Sequence, residues 1–295
     1  MKPGQDERQK LVQEGIDAGE TDMYREDRIW SQFSSDKVDI SEVLMEVVRG
    51  LHRTLPPEEL IRALSVGSGS EPQFQILESA FRGGLYLLDS DDVPLARVRK
   101  DIRNRCIEGV RTLKGDYTRL LATRDSCRAF LKEQLGGGRV HLITLHHSLY
   151  YSDVSSWQDL FESMMGELLE EGGALHAVLM SPACHDRNST AWLYQHFAGE
   201  FFGCGNDQDL AAFGRDLAGS PAIAGVSVRV MTHRVRFFVK DFRKLMSVVW
   251  MILLYPEEHR YDQDQRREIT EYVYDNFWLT GEPLVQLQDH LVITG

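Results

Sequence analysis

Several features that mark specialised proteins are missing from this sequence. Cysteine is scarce, with four residues in 295 (Cys106, Cys127, Cys184, Cys204), no CxxC spacing and no Cys/His cluster of zinc type. Neither a disulfide scaffold nor a metal site is expected, and all four are read as reduced thiols. Positive charge is in deficit: 33 Lys+Arg against 45 Asp+Glu leave a net charge of -12. That argues against broad contact with phosphate backbones, so nucleic acid is not an expected partner. The longest apolar stretch, Val248 to Tyr255, is too short to span a bilayer, and no membrane partner is expected. The opening residues carry no apolar core of a signal peptide, which makes a cytoplasmic location the expectation. Internal repeats and low-complexity linkers are absent. So are GxSxG and any GKS or GKT after a glycine turn, which removes serine-hydrolase and P-loop chemistry.

What is present is the balance of a soluble globular chain, 42% hydrophobic and 26% charged, long enough for one large domain or two small ones. The first thirty residues read as a loosely held arm with helical character. Apolar residues at helical spacing predict a helix over Asp39 to Leu55. Leu60 to Val66 then forms a short apolar run stopped by Gly67, the pattern of a buried strand entering a glycine turn. A helix follows, with Pro72 in its first turn. The type repeats. Strands are predicted at 84–88, 110–114, 140–145 and 174–180. Helices are predicted through 97–105, over 126–135, and over 156–171 closed by Gly172-Gly173. This alternation means an α/β fold with a parallel sheet and helices on both faces. Beyond Ser181-Pro182 the pattern loosens. Helices are predicted at 192–202, 207–217, 241–255 and 266–278. Strands are predicted at 226–230, at 235–238 and finally over 284–293, the last with a charged break at Asp289-His290 and joining as an antiparallel member.

Ligands of open α/β sheets sit beyond the carboxyl ends of the strands. The first candidate there is Leu64-Ser-Val-Gly67-Ser68-Gly69-Ser-Glu71-Pro72, which follows a strand and opens a helix. Asp89, followed by Ser90, stands twenty residues beyond Gly69 at the end of the second strand. Glycines let a backbone approach a ligand closely, and a carboxylate there can grip two ribose hydroxyls. A nucleoside cofactor is expected; a tight turn beside a solvated Asp is the alternative. Pro72 occupies the last position of a dinucleotide fingerprint, and Glu71 beside it would repel a pyrophosphate. S-adenosylmethionine carries no phosphate and has positive sulfonium and ammonium groups, so the same carboxylate favours it. At the end of the third strand, Asp116 can accept from an adenine amino group and Tyr117 can lie against the ring. Taken alone, Gly115-Asp116 is also an ordinary turn dipeptide.

With Leu64-Ser-Val-Gly-Ser-Gly69, Leu87-Leu-Asp89, Gly115-Asp116 and His141-Leu-Ile-Thr-Leu-His-His-Ser-Leu-Tyr-Tyr151 in this order, the chain resembles a class I S-adenosylmethionine-dependent methyltransferase over about residues 60 to 182. Ser148-Leu-Tyr-Tyr-Ser-Asp153 and the long C-terminal part most resemble the histamine N-methyltransferase type of small-molecule enzymes. The resemblance implies a Rossmann-like seven-strand methyltransferase sheet with an added helical cap. Residues 1–55 would form an N-terminal helical arm or cap. Residues 56–295 would form the cofactor-binding domain, with helical insertions near 186–222 and 240–280. It also implies S-adenosylmethionine as cofactor, S-adenosylhomocysteine as product, and a small-molecule acceptor bound between cap and sheet by a monomer or homodimer. Gly67, Ser68 and Gly69 would face the methionine part, Asp89 and Ser90 the ribose, Asp116 and Tyr117 the adenine, and His146 would contribute backbone near the transferable group. His147, Tyr151, Asp39 and Gln286 would contact the acceptor. Two departures stand out: Glu71 where the family often has a third glycine, and His146-His147, which points away from histamine itself.

Methyl transfer is an in-line displacement in which the protein chiefly supplies position and desolvation. An amine acceptor must first lose a proton, which His147 can take. Tyr150 and Tyr151 can face a cation with their rings or hydroxyls. Paired histidines can equally cap the next helix, and the tyrosines can equally be core. Trp192, Tyr194, Phe197, Phe201 and Phe202 make an aromatic helix that reads first as packed core, and His233-Arg-Val-Arg236 reads as a solvated face. Rival readings are transfer to a protein or carrier-bound acceptor, a cofactor-binding protein without catalysis and, more distantly, a dehydrogenase.

Overall fold

In the computed structural model, residues 5–19, 23–183, 186–220, 225–254 and 257–295 are described. Helices α1 (Gln5–Ile16), α2 (Met23–Phe33) and α3 (Asp36–Thr54) lead into β1 (Arg62–Val66). There follow α4 (Phe74–Ala80), β2 (Gly84–Asp89), α5 (Asp92–Arg105), β3 (Val110–Lys114), α6 (Tyr117–Leu120), α7 (Arg124–Gln134) and β4 (Val140–His146). Next come α8 (Trp157–Glu167), β5 (Leu169–Met180), α9 (Thr190–Phe202), α10 (Leu210–Ala218) and β6 (Ser227–Phe237). The chain closes with α11 (Phe242–Ile252), α12 (Gln263–Val273), a π-helical turn over Tyr274–Trp278, and β7 (Leu284–Thr294). None of the described helices is long and apolar enough to cross a membrane.

The seven strands form one sheet in the order β3-β2-β1-β4-β5-β7-β6. β1 pairs parallel with β2 and β4, β2 with β3, and β4 with β5. Strand order therefore reverses between β1 and β4, the place where an open α/β sheet leaves a crevice at its carboxyl end. Local chemistry starts the helices where the turns end. Asp91 caps α5 by accepting from the Val93 N–H, and Thr123 and Ser126 form a reciprocal capping box at α7.

The chain divides into two compact units. One comprises Ile40–Leu179, Gln208–Thr232 and Asp289–Gly295. Its core has two clusters. Leu64, Ile143, Leu145, Leu175 and Leu291 pack with Trp157 and Phe161 of α8, whereas Ala63, Leu142, Ala174 and Val292 pack with Val43, Leu44 and Val47 of α3. Since side chains alternate along a strand, these are the two faces of the sheet. The other unit comprises Met1–Asp39, Met180–Asp207 and His233–Gln288, and its core gathers Trp30, Phe197, Phe237, Met246, Trp250, Ile269 and Tyr274.

Five expectations change. The N-terminal arm is firmly held: Val12 and Ile16 are buried, and the Trp250 indole N–H donates to the Gly15 carbonyl at 2.9 Å. The helix expected to run to Glu171 stops at Glu167, and β5 already begins at Leu169. Gly172 and Gly173 accordingly lie inside a strand, where an irregularity lets Val140 pair with Leu169 and Leu142 with Ala174. The two short strands expected near 226–238 are one strand, β6. Asp289 and His290 do not break β7; both are fully buried within it. The helix expected to reach Tyr255 ends at Ile252, and Tyr255 itself lies outside the described residues. Cys106, Cys127 and Cys204 are free thiols, while Cys184 also lies outside the described residues.

Candidate functional site

The turn after β1 brings the first group of predicted residues together. Gly67 and Gly69 adopt left-handed backbone (φ 63° and 53°), which glycine reaches without a Cβ penalty. The Ser68 N–H donates to the Leu88 carbonyl at 3.0 Å, so the turn is stitched to the end of β2. Asp89 completes the stitch. Its Oδ2 accepts from the Gly69 N–H at 2.7 Å and its Oδ1 from the Asp91 N–H at 2.8 Å. Each carboxylate oxygen has a second lone pair, so two further donors can be accepted. A Cβ on Gly69 would meet nothing within 4 Å, which leaves open space over the turn. A Cβ on Gly67 would fall 2.3 Å from the Ser148 Cβ, so this glycine is required by the loop after β4.

Glu71 is turned inward. Its carboxylate accepts from the Ser65 hydroxyl and, at 3.2 Å, from the Gln73 N–H, leaving only 4% of the residue exposed. The backbone of Glu71 is itself left-handed (φ 46°), the conformation a third glycine would take. Holding a non-glycine residue there costs roughly 1–2 kcal/mol, which the Ser65 and Gln73 contacts offset. The side chain therefore does not plug the bend.

Asp116 caps α6: its Oδ1 accepts from both the N–H and the hydroxyl of Thr118, while its Oδ2 lies 3.5 Å from Arg119. The ring of Tyr117 belongs to the buried core, and its hydroxyl donates to the Ser148 carbonyl at 2.8 Å. Burial pushes that phenol up to about 12. Tyr117 thus ties the loop after β3 to the loop after β4. Ser90 is exposed at the end of β2. Ser68 and Ser148 are buried, and neither hydroxyl has a hydrogen-bond partner among the described residues. Buried hydroxyls of this kind are normally satisfied, and here they border the open turn.

Of the residues after β4, His146 and His147 are half-buried, and His147 has left-handed backbone (φ 56°), a strain that for a non-glycine residue concentrates at functional loops. The Tyr150 ring stacks on the His147 ring at 6.1 Å, with its hydroxyl 3.5 Å from Nδ1. Tyr151 is 65% exposed, so it is not core. Asp39 and Gln286 belong to the other unit and are linked there through Gln288. The Gln286 amide donates to Gln288 at 3.3 Å, and Gln288 donates to Asp39 Oδ2 at 2.9 Å. His233 meets Asp39 Oδ1 at 2.6 Å, so the residue read as part of a solvated face is paired with a carboxylate.

Sequence reading overlooked a buried row of imidazoles. His146 Nε2 lies 3.1 Å from His176 Nδ1, and His176 Nε2 lies 3.1 Å from His290 Nδ1. His176 and His290 are fully buried. Burial first, then His146, His290 and Arg229, holds the His176 imidazole well below its usual range, so it is neutral at physiological pH. The available signal was a single polar residue inside the otherwise apolar run Ala174 to Met180.

No protein-family profile matches the sequence, and no curated protein matches it. Solved structures do. One, from Bacillus halodurans C-125 and described as a candidate methyltransferase, is 14% identical with a TM-score of 0.50, covering 84% of this chain and 97% of that one. The YcgJ protein from Bacillus subtilis is 14% identical with a TM-score of 0.49, covering 83% and 97%. A candidate sarcosine dimethylglycine methyltransferase from Galdieria sulphuraria is 12% identical with a TM-score of 0.49, covering 88% and 84%. At these identities the likeness is one of fold. The chain has the class I methyltransferase fold, a Rossmann-like seven-strand sheet with helices.

Proposed function

We propose that this protein binds S-adenosylmethionine at the turn after β1 and uses it to methylate a small, amine-bearing acceptor. The observation that carries the reading is the pairing of Asp89 Oδ2 with the Gly69 N–H at 2.7 Å, under open space at Gly69. Such a carboxylate, anchored by backbone and still able to accept, suits a ribose diol. The buried hydroxyls of Ser68 and Ser148, without partners among the described residues, offer two further polar contacts beside the turn. When bound, the cofactor supplies an already activated methyl group, so the protein need supply only position and dryness. Gly67, Ser68 and Gly69 would carry the methionine part, Asp89 and Ser90 the ribose, and Asp116 the adenine edge. Tyr117 would act from behind by fixing Ser148. His147, Tyr150 and the exposed Tyr151 would meet the acceptor, in keeping with the histamine N-methyltransferase type.

Calorimetry with S-adenosylmethionine and S-adenosylhomocysteine tests the first half of this reading. Sub-millimolar binding of both is expected, and binding of neither refutes it. Incubation with methyl-labelled cofactor and fractionated small metabolites, read by mass spectrometry, tests the second; label recovered only on protein would shift the acceptor class.

A further inference from the structure

The first link between β1 and β4 is made by a side chain. The register of the two strands opens with Ala63 opposite Leu142. One residue earlier, the Arg62 N–H donates to Nδ1 of His141 at 3.0 Å, so an imidazole stands at the edge of the ladder. A ring nitrogen that accepts carries no proton, which puts the single proton of neutral His141 on Nε2. His141 is buried, and a buried ring nitrogen must be hydrogen-bonded. Its donor is held firmly. The Arg62 guanidinium donates to the Leu135 carbonyl at 2.6 Å, the Tyr86 hydroxyl at 2.7 Å and the Arg139 carbonyl at 3.2 Å, and lies 5.2 Å over the Tyr86 ring. A Cβ on Gly138 would come 1.8 Å from its Nη1, so the guanidinium fills the space beside that glycine. Arg62 therefore cannot turn to another acceptor without giving up contacts to β2, to the end of α7 and to the start of β4. Burial, the largest influence, holds the His141 imidazole below its ordinary range. Glu59 ahead of β1, with Oε1 3.7 Å from Nε2, and Glu170 of β5 act against that, and the Arg62 cation acts with it.

We propose that His141 is an acid-sensitive latch on the border between β1 and β4, closed while its ring is neutral and released when the ring takes a second proton. The inference stands apart from the methyl-transfer reading. A protonated imidazole donates from both nitrogens, so Nδ1–H would face the Arg62 N–H, donor against donor, and the bond at 3.0 Å is lost. Nδ1 is free to take a proton only as the Arg62 N–H leaves it, so proton uptake and opening are one event. A group whose pKa is lowered in the folded state stabilises the fold fully above its unfolded range, and that contribution is lost as pH falls towards the folded value. Below the ordinary imidazole range the open border binds a proton that the closed border refuses, and closing becomes less favourable by up to about tenfold per pH unit. The strand so released is the one that runs into the glycine turn at Gly67.

The test compares the full chain with His141→Gln, whose side-chain oxygen can accept the Arg62 N–H but does not titrate. Amide hydrogen exchange read by NMR reports the opening at Arg62 itself. Between about pH 7.5 and about pH 5.5, protection of the Arg62 amide is expected to fall about 5- to 10-fold further in the parent than in the variant. The other buried imidazoles, His176 and His290, are the same in both proteins and cancel in this comparison. Equal falls overturn the latch. Nitrogen NMR of the histidine-labelled parent provides a second readout, and it decides if His141→Gln does not fold. A His141 ring with its proton on Nε2 at neutral pH, gaining the Nδ1 proton in step with the loss of Arg62 protection, supports the latch. A proton on Nδ1 at neutral pH, or Arg62 protection that is constant while the ring becomes charged, overturns it.

Discussion

Replacing Asp89 by Ala removes the carboxylate at the tip of β2, and its consequence can be estimated from the hydrogen bonds it makes and is positioned to make. In the protein alone it accepts from the Gly69 and Asp91 N–H groups at 2.7 and 2.8 Å. Both donors are on half-buried loops, so water can replace the lost acceptor and the stability change stays at about 1 kcal/mol. A bound ribose would lose more. Two hydroxyls donating to a charged oxygen pair contribute roughly 1.5–3 kcal/mol each, so at least about 3 kcal/mol of cofactor binding is removed. At about 1.4 kcal/mol per decade this is a loss of about 100-fold or more in affinity. Isothermal titration calorimetry of parent and Asp89→Ala, with thermal melts to show that both are folded, reads the difference directly. Asp89→Asn should fall between them, because one carbonyl oxygen still accepts. Equal affinity in all three proteins would show that the ribose site is elsewhere.

Three more outcomes follow from the same geometry. Gly67→Ala meets both a left-handed backbone and a Cβ 2.3 Å from the Ser148 Cβ, whereas Gly69→Ala meets open space. Urea unfolding should therefore show a loss of about 2 kcal/mol or more for the first and about 1 kcal/mol for the second, and equal losses would contradict the packing. Tyr117→Phe leaves the Ser148 carbonyl without its donor and should cost about 1 kcal/mol, with a weakened cofactor titration if the loop after β4 shifts. Arg128 grips Glu167 with two hydrogen bonds of 2.8 and 2.9 Å, and these hold the Glu167 carboxyl below its ordinary range. A carboxyl depressed in the folded state stabilises the fold above its unfolded range, and that contribution is lost as pH falls through the folded value. The stability gap between the parent and Arg128→Met should accordingly narrow towards zero on acidification, and a gap independent of pH would disprove the pairing.

Several parts of this molecule could be read before any coordinates. The apolar run into Gly67 marked β1 because a buried parallel strand needs no polar alternation, and the glycine turn with Asp89 twenty residues on marked the crevice. Errors arose where the local pattern was ambiguous. Gly172-Gly173 looked like a helix stop, yet the backbone there continues as a β5 irregularity, since glycine permits both. Asp289-His290 looked like a break because charge in a strand usually faces water, but both residues are enclosed by neighbours that sequence order does not reveal. Among candidate site residues, Gly67, Ser68, Gly69 and Asp89 are brought together. Asp39 and Gln286 meet through Gln288, which carried no signal of its own. Tyr117 turned out to be a buried tie between loops.

The sequence by itself determined the alternation of strands and helices, the glycine turn and the carboxylate that faces it, because each depends on hydrophobic period and backbone freedom over a few neighbouring residues. Tertiary structure alone decided the inward turn of Glu71 onto Ser65, the pairing of His233 with Asp39, and the row of His146, His176 and His290. Those contacts join residues up to 194 positions apart, and which ring meets which is set by strand order and register in the sheet, quantities that no local pattern encodes.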